Sequence, residues 1–152
     1  MPNIIISDTS CLIILDKIGE LDLLRKVYGV IITTPQIAEE FEEKLPDWVK
    51  IIPVDDKKYL EILSIQIDLG EASAIALAME LDNPLLILDD LKARILAKKL
   101  NLKITGTLGI INKAKQVGAI DKIKPIIDKL LLTNFRVSQN IIDELLKNNN
   151  ET

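Results

Sequence analysis

Short runs of consecutive aliphatic residues alternate along this chain with segments of helical periodicity, and the alternation limits the folds available to it. Three such runs are Ile4–Ile6, Val30–Thr33 and Leu85–Leu88. Strands that are apolar on consecutive positions are buried on both faces, as in a parallel sheet covered by helices. The pattern therefore predicts an α/β fold, a three-layer α/β/α sandwich with a central parallel sheet of about four to five short strands.

Less regular segments complete the expected fold. Pro53 places the apolar stretch 51–54 at a sheet edge, because proline cannot donate to the ladder of a central strand. Gly70 is expected to break the chain before an alanine-rich helix over 71–81, which is apolar on almost every side and so is expected inside the protein. The remaining expected elements are a strand at 103–105, a helix opened by Gly106-Thr107 and closed by Gly118, a helix capped by Asp121 that runs towards Leu132, and a last helix from Val137 to Leu146.

Size and composition fit one domain. The chain has 152 residues, and 48% of them are hydrophobic, which is enough apolar surface for one substantial core. We expect a single domain over residues 1–147 and a frayed polar tail over residues 148–152. No apolar run approaches the length of a membrane span, and the opening MPNIIISDTS turns polar too early for a signal peptide. We therefore expect a cytoplasmic protein that does not contact a membrane.

Two residue types limit the chemistry. The chain contains no histidine, which excludes Ser-His-Asp and Cys-His catalysis, histidine general bases and histidine-ligated metals. Cys11 is its one cysteine, so an internal disulfide and a cysteine-based zinc site are excluded as well. Any catalysis must therefore depend on carboxylates, hydroxyls, lysines or a hard metal ion.

Charge is unevenly distributed. The net charge of −4 argues against a broad basic surface for nucleic acid. Between Leu91 and Lys124, however, the basic residues face one acid, Asp121. This segment predicts either a basic flank beside an acidic centre or ordinary solvated helix faces.

Acidic residues occupy the ends of predicted strands and the starts of predicted helices. Asp8 follows the first strand and the Asp89-Asp90 pair follows the third, while Glu40 and Glu71 are assigned to first helical turns. Each has a simpler interpretation, since aspartate caps helices and first-turn acids stabilise the positive end of a helix. Together they are more specific, because the carboxyl ends of parallel strands meet at one edge of a sheet.

Converging carboxylates form a site for Mg²⁺ or Mn²⁺. Such an ion activates water and stabilises charge on a phosphate oxygen, so phosphodiester hydrolysis proceeds without histidine. Two details favour a bound cation. Glu71 begins a strongly apolar helix, where an unpaired carboxylate is costly, and the adjacent charges of Asp89 and Asp90 repel each other. The acids therefore predict a metal-dependent nuclease.

At these residues the sequence resembles the PIN-domain nucleases, particularly the VapC-like toxins and related small prokaryotic PIN proteins. The similarity covers nearly the whole chain, and the order and spacing of the matching stretches carry it. These stretches are IIISDTS at Asp8, TPQIAEEF at Glu40, GEASAIALA at Glu71, LLILDDLKAR at Asp89 to Arg94, and ITGTLGII at Thr107.

The resemblance implies a PIN-like fold and a set of site residues. The catalytic acids it implies are Asp8, Glu40, Glu71, Asp89 and Asp90, with Asp8, Glu71, Asp89 and Asp90 as metal ligands. Asp90 matches the usual strand-exit position better than Asp89. Thr9 or Ser10 would support the first acid. Many relatives have a threonine just before the late acids, where this chain has Leu88, and Thr107 would serve instead.

The resemblance also implies an activity and partners. It implies an Mg²⁺- or Mn²⁺-dependent endoribonuclease, the toxin of a toxin-antitoxin system, which forms a homodimer and is inhibited by a small antitoxin. Lys92 or Arg94 would steady the RNA backbone, although exposed helix cations explain both equally well. The apolar residues of the C-terminal helices fit either core packing or a dimer or antitoxin surface.

Four other interpretations stay open. A structure-specific DNA nuclease resembles this family in core and acids, but the chain has no long insertion to form an arch over a flap. A phosphatase with Asp8 as nucleophile would have an acid where this chain has Ser10. A receiver domain would have its paired acids after the first strand. The fourth is a PIN-like scaffold that binds RNA or protein without cleaving it.

Overall fold

A five-stranded parallel sheet forms the centre of the molecule. The structure, a computed structural model, describes residues 4–151. The strands lie in the order β3-β2-β1-β4-β5, and every neighbouring pair is parallel. They are β1 Ile4–Ser7, β2 Ile31–Thr33, β3 Val49–Ile51, β4 Pro84–Ile87 and β5 Lys103–Thr105. The expected three-layer α/β/α sandwich is confirmed.

Helices connect and cover the strands. In the described residues they are α1 Thr9–Lys17, α2 Asp22–Tyr28, α3 Pro35–Phe41, α4 Lys57–Ser64, α5 Leu69–Glu80, α6 Leu91–Lys99, α7 Thr107–Gln116, α8 Lys124–Leu131 and α9 Gln139–Asn148. Within residues 4–151, none of these helices is long and apolar enough to cross a bilayer. The strand predicted at 51–54 begins earlier, so Pro53 follows β3, which does lie at the sheet edge.

The strand order reverses beside β1. The chain goes from β1 outward to β2 and β3, and then returns to the other side of β1 for β4 and β5. Ser7 at the end of β1 pairs with Ile87 at the end of β4, which pairs with Thr105 at the end of β5. In open parallel sheets, ligands bind at the carboxyl ends of the strands where the order reverses. Here Asp8 and the residues after Ile87 occupy that place.

The core has two parts. Helix α5 is buried from Ala72 to Ala78, as its apolar composition predicted, and belongs to the larger cluster. The smaller cluster joins α8 and α9 to α7, and it buries most of the apolar residues of the C-terminal helices. Core packing therefore accounts for most of these residues, although Leu131 and Ile141 are 45% and 51% exposed.

Gly70 does not interrupt the chain as predicted. It lies inside the first turn of α5, because the helix begins at Leu69 with Asp68 at the N-cap position. A Cβ at Gly70 would collide with the carboxylate of Glu40. The glycine thus allows the Glu40 side chain to approach α5 closely and does not break the helix.

The structure also differs from the predictions at the C-terminal helices. Helix α8 begins at Lys124 without a cap from Asp121. The Glu151 carboxylate takes that place, since it accepts hydrogen bonds of 3.0 Å from the N–H groups of Ile123 and Lys124. It also pairs with Lys115 Nζ at 2.6 Å. Residues 148–151 are therefore held against the domain and do not fray, because the cap that a helix start requires comes from them. Residue 152 lies outside the described residues.

Glu151→Gln is expected to destabilise the fold by roughly 1–3 kcal/mol, because buried N–H donors lose a charged acceptor. Burial raises the pKa of Glu151, but hydrogen bonds from Lys115 and from the N–H groups of Ile123 and Lys124 outweigh burial and lower the pKa from 4.5 to about 2. A carboxyl whose pKa is lower in the folded state contributes stability above its unfolded value and loses that contribution as the pH falls through the folded value. The stability difference between wild type and variant should therefore shrink between about pH 4.5 and about pH 2.

Urea unfolding of both proteins at several pH values measures this difference. Asp121→Asn is the matched control, since Asp121 is an exposed carboxylate in the same region. A difference that stays constant as the pH falls would show that the Glu151 charge does not stabilise the cap.

Candidate active site

Asp8 lies at the reversal point of the sheet, between the end of β1 and the start of α1. Its carboxylate is buried and accepts hydrogen bonds from the Cys11 N–H at 2.9 Å and from the Asp89 N–H at 3.3 Å. Burial is the largest effect that raises the pKa of Asp8, to about 7. The charges of Asp89 and Glu71 add to the rise, and the two hydrogen bonds oppose it. Asp8 therefore caps α1, and burial and the nearby negative charges disfavour its ionised form.

Asp89 faces Asp8 from the end of β4. One of its oxygens accepts the Thr107 N–H at 2.8 Å and the other accepts the Thr107 hydroxyl at 2.5 Å. Thr107 is buried, so its two donors fix the position of this carboxylate. A Cβ at Gly106 would lie 2.7 Å from Asp89 Oδ1, so a glycine just before Thr107 leaves room for this carboxylate.

Asp90 is placed differently from its neighbour. Its carboxylate caps α6 by accepting the Ala93 N–H at 2.9 Å, and the residue is exposed. Its charge acts on Glu71, whereas the charge of Asp89 acts on Asp8. Asp89 thus lies on the inner side of the site near Asp8, and Asp90 lies on the outer side near Glu71.

Glu71 and Glu40 approach from α5 and α3. Burial raises the pKa of Glu71 to about 7, and the charges of Asp90, Asp68 and Glu40 add to the effect. Glu40 accepts a hydrogen bond of 3.3 Å from the Thr9 hydroxyl. Its assignment to a first helical turn is wrong, because α3 begins at Pro35 and ends at Phe41. A carboxylate near the negative end of a helix gains nothing from the helix dipole, so the helix-dipole interpretation of Glu40 does not apply, and the residue is exposed.

These side chains meet in one cleft of about 660 Å³. The predicted residues that line it are Thr9, Ser10, Glu40, Glu71, Asp89 and Asp90. Asp8 lies beneath this wall, bonded to the Asp89 N–H. The structure therefore gathers every predicted acid, with the supporting Thr9, Ser10 and Thr107, at one edge of the sheet.

The two predicted cations are placed unequally. Arg94 donates from Nη1 to the carbonyl of Leu88 at 2.8 Å, so its guanidinium holds the end of β4. Lys92 is exposed and lines a shallow depression with Asp68, Glu71 and Asp90, beside the acids. Lys92 therefore lies beside the acids, whereas Arg94 is half-buried at the end of β4.

Sequence reasoning missed several residues of the cleft. Asp68 adds a further carboxylate, and its place just before Gly70-Glu71 is a signal that was available, since aspartate is a preferred N-cap residue. Lys17 and the segment 134–136 also line the cleft. No sequence motif within segment 134–136 indicated this position, because the segment lies far from the acids in the sequence and meets them only in the folded chain.

The donor set fits a hard divalent cation. Carboxylate oxygens are the ligands that Mg²⁺ and Mn²⁺ prefer, and the mutual repulsion of these acids is relieved by positive charge. Each oxygen of Asp8 and Asp89 keeps a lone pair beyond the hydrogen bond it accepts. Across residues 4–151, no three acidic or cysteine side chains already stand in a metal-holding arrangement. Holding an ion would therefore involve side-chain movement, for which the exposed Asp90 has room if it releases the Ala93 N–H.

Comparison with known proteins gives one match. The family model DUF3368, described as a PIN domain, matches residues 4–151. No curated protein and no solved structure matches the chain.

Proposed function

The chain belongs to the PIN-domain family, a family of nucleases, and we propose from this membership that it is an endoribonuclease that requires Mg²⁺ or Mn²⁺. The observation that carries the proposal is that carboxylates from α3, from α5 and from the β4–α6 connection line one cleft at the reversal point of the sheet, with Asp8 buried beneath them. A structural role for each acid alone would not require their convergence.

The acids of the cleft would have different roles, with most of them holding the ion and one orienting water. Asp8 and Asp89, fixed by backbone N–H groups and by Thr107, form the rigid inner part of the ligand set. Glu71 and Asp90 complete the set from the outer side. When bound, the ion supplies an activated water for attack on phosphorus and stabilises the charge that develops on the phosphate. Glu40, held by Thr9, is placed to orient water by hydrogen bonding.

A binding scaffold without catalysis is the second candidate. Hydrogen bonds occupy Asp8, Asp89 and Asp90 within the fold, so each of these acids has a structural use of its own. In a scaffold the acids would act as caps and surface charge, and divalent ions would have little effect. A DNA nuclease differs from the main proposal only in substrate.

The partners belong to the same proposal. We place the chain as the toxin of a toxin-antitoxin system, active as a homodimer and inhibited by a small antitoxin. The support is the sequence resemblance together with exposed aliphatic side chains such as Leu132, which is 89% exposed and available for association.

Cleavage of a mixed-sequence single-stranded RNA tests the proposal. The purified chain is expected to cut RNA with Mg²⁺ or Mn²⁺, and EDTA should stop the reaction. Single-stranded DNA of the same sequence, run in parallel, separates a ribonuclease from a deoxyribonuclease. Inactivity on several RNAs with both metals would favour the scaffold.

A further inference from the structure

The segment Asn134-Phe135-Arg136, which connects α8 to α9, lines the acidic cleft but has no part in the chemistry proposed above. It combines an aromatic ring with a cation within a few residues. Both groups are common in sites for single-stranded nucleic acid, where bases stack on aromatic rings and phosphates pair with basic side chains. The segment therefore has the composition of a substrate contact.

Hydrogen bonds fix the backbone on both sides of Phe135. The Thr133 hydroxyl donates to the Leu130 carbonyl at 2.6 Å and accepts the Phe135 N–H at 3.1 Å. On the other side, the Ser138 hydroxyl caps α9. The ring itself is half-buried and packs against the apolar cluster of the C-terminal helices. Phe135 thus packs against the cluster and also lines the cleft.

A second cavity of about 440 Å³ adjoins the cleft. The residues that line both spaces are Asp89, Phe135 and Arg136. Its other walls combine apolar side chains such as Leu108 and Val137 with Arg94. A flat, weakly polar group seated there would lie beside the ring of Phe135 and next to the acids.

The exposed cations of the cleft are the groups that would contact the phosphates of a bound strand. An anionic strand is repelled by the acids except where positive charge compensates them. Arg136 and Lys17 line the cleft, both are exposed, and in the described part of the chain neither forms a salt bridge. Lys17 lies on the same face of α1 as Ser10, roughly 10 Å further along the helix at 1.5 Å per residue.

We propose that the second cavity is a nucleotide subsite, in which a base of single-stranded RNA stacks on Phe135 while Arg136 contacts the adjoining phosphate. This inference rests on the proposed function and specifies how the substrate is held. The base must be free of a duplex, because a paired and stacked base does not offer its face to a side chain. Since Asp89 lines both spaces, the seated nucleotide is a neighbour of the phosphate that is cut.

Binding of a fluorescent single-stranded RNA, followed by anisotropy over a range of salt concentrations, tests the subsite. The Asp8→Asn background with Mg²⁺ is used in every arm to prevent cleavage. Phe135→Leu, which keeps apolar volume but removes the ring, should weaken binding roughly 5- to 150-fold, whereas Phe135→Tyr should bind like the parent. Arg136→Ala should lower the slope of log affinity against log salt by about 0.7, and Phe135→Leu should leave that slope unchanged.

Matched controls are Ile62→Ala and Lys122→Ala, which remove an exposed aliphatic side chain and an exposed basic side chain that line neither cavity. Circular dichroism establishes that each variant folds. If the parent binds RNA but Phe135→Leu and Arg136→Ala bind as tightly, the subsite is wrong while the proposed function stands. If the parent binds no RNA and the wild type cleaves none with either metal, the proposed function itself fails.

Discussion

Asp8→Asn and Asp89→Asn are each expected to lower the rate of RNA cleavage by more than about a hundredfold. Both side chains are placed to hold the divalent ion, and changes to groups that merely support metal ligands typically cost 10- to 100-fold. Asparagine keeps the shape of aspartate but lacks the charge, so the ion loses a ligand while the packing around α1 and β4 is preserved. Initial rates on one RNA, at a fixed concentration of Mn²⁺, measure the effect.

The control for these variants is Asp128→Asn, which removes an exposed carboxylate of α8 outside the cleft and should cleave at the wild-type rate. Asp8→Asn also loses one of two backbone hydrogen bonds, because asparagine has a single acceptor oxygen, so its melting temperature must be measured alongside. Full activity in a folded Asp8→Asn protein would exclude this acid from the reaction.

Mn²⁺ is expected to raise the melting temperature of the wild-type chain by about 5–10 °C. A ligand that binds only the folded state at 100 times its Kd stabilises that state by about 2.7 kcal/mol, and one kcal/mol corresponds to roughly 2–4 °C for a chain of this size. The effect should be largest near neutral pH and above, where the repulsion among ionised Asp8, Asp89 and Glu71 is greatest without the ion. Thermal unfolding with and without Mn²⁺ measures it.

The double variant Asp8→Asn/Asp89→Asn should lose this stabilisation, and excess EDTA should abolish it in the wild type. Asp128→Asn should respond as the wild type does. An equal shift in the double variant would mean that the ion binds elsewhere, and no shift in the wild type would support the scaffold, in which the acids are dispersed caps.

The sequence predicted the sheet because its three central strands, β1, β2 and β4, are mostly buried and consist largely of consecutive apolar residues. For the same reason Asp8 and Asp89 could be placed, since a polar residue directly after a buried strand must lie at the sheet edge. The residues that cap the helix starts were harder to predict. Asp121 had the chemistry of a cap, yet Glu151 caps α8 through contacts that only the folded chain brings together.

Glycines were a second source of error. Gly70 suggested a break, but it lies within α5, where the Glu40 side chain of another helix approaches it closely. In the same way, nothing near Phe135 in the sequence links it to Asp89, and the cavity that joins them is a product of packing. Both features depend on contacts between segments that are far apart in the sequence, and a local sequence pattern carries no information about such contacts.

Cys11 gives the site a chemical property of its own. Its thiol is buried, and burial raises its pKa well above the usual value, so the reactive thiolate is rare in the folded state. A thiol reagent reaches the sulfur only when the packing around it opens. The same residue donates its N–H to Asp8, so labelling samples openings next to the buried acid. Because the chain has no other cysteine, its rate of labelling reports directly how often the buried side of the acidic cleft comes apart.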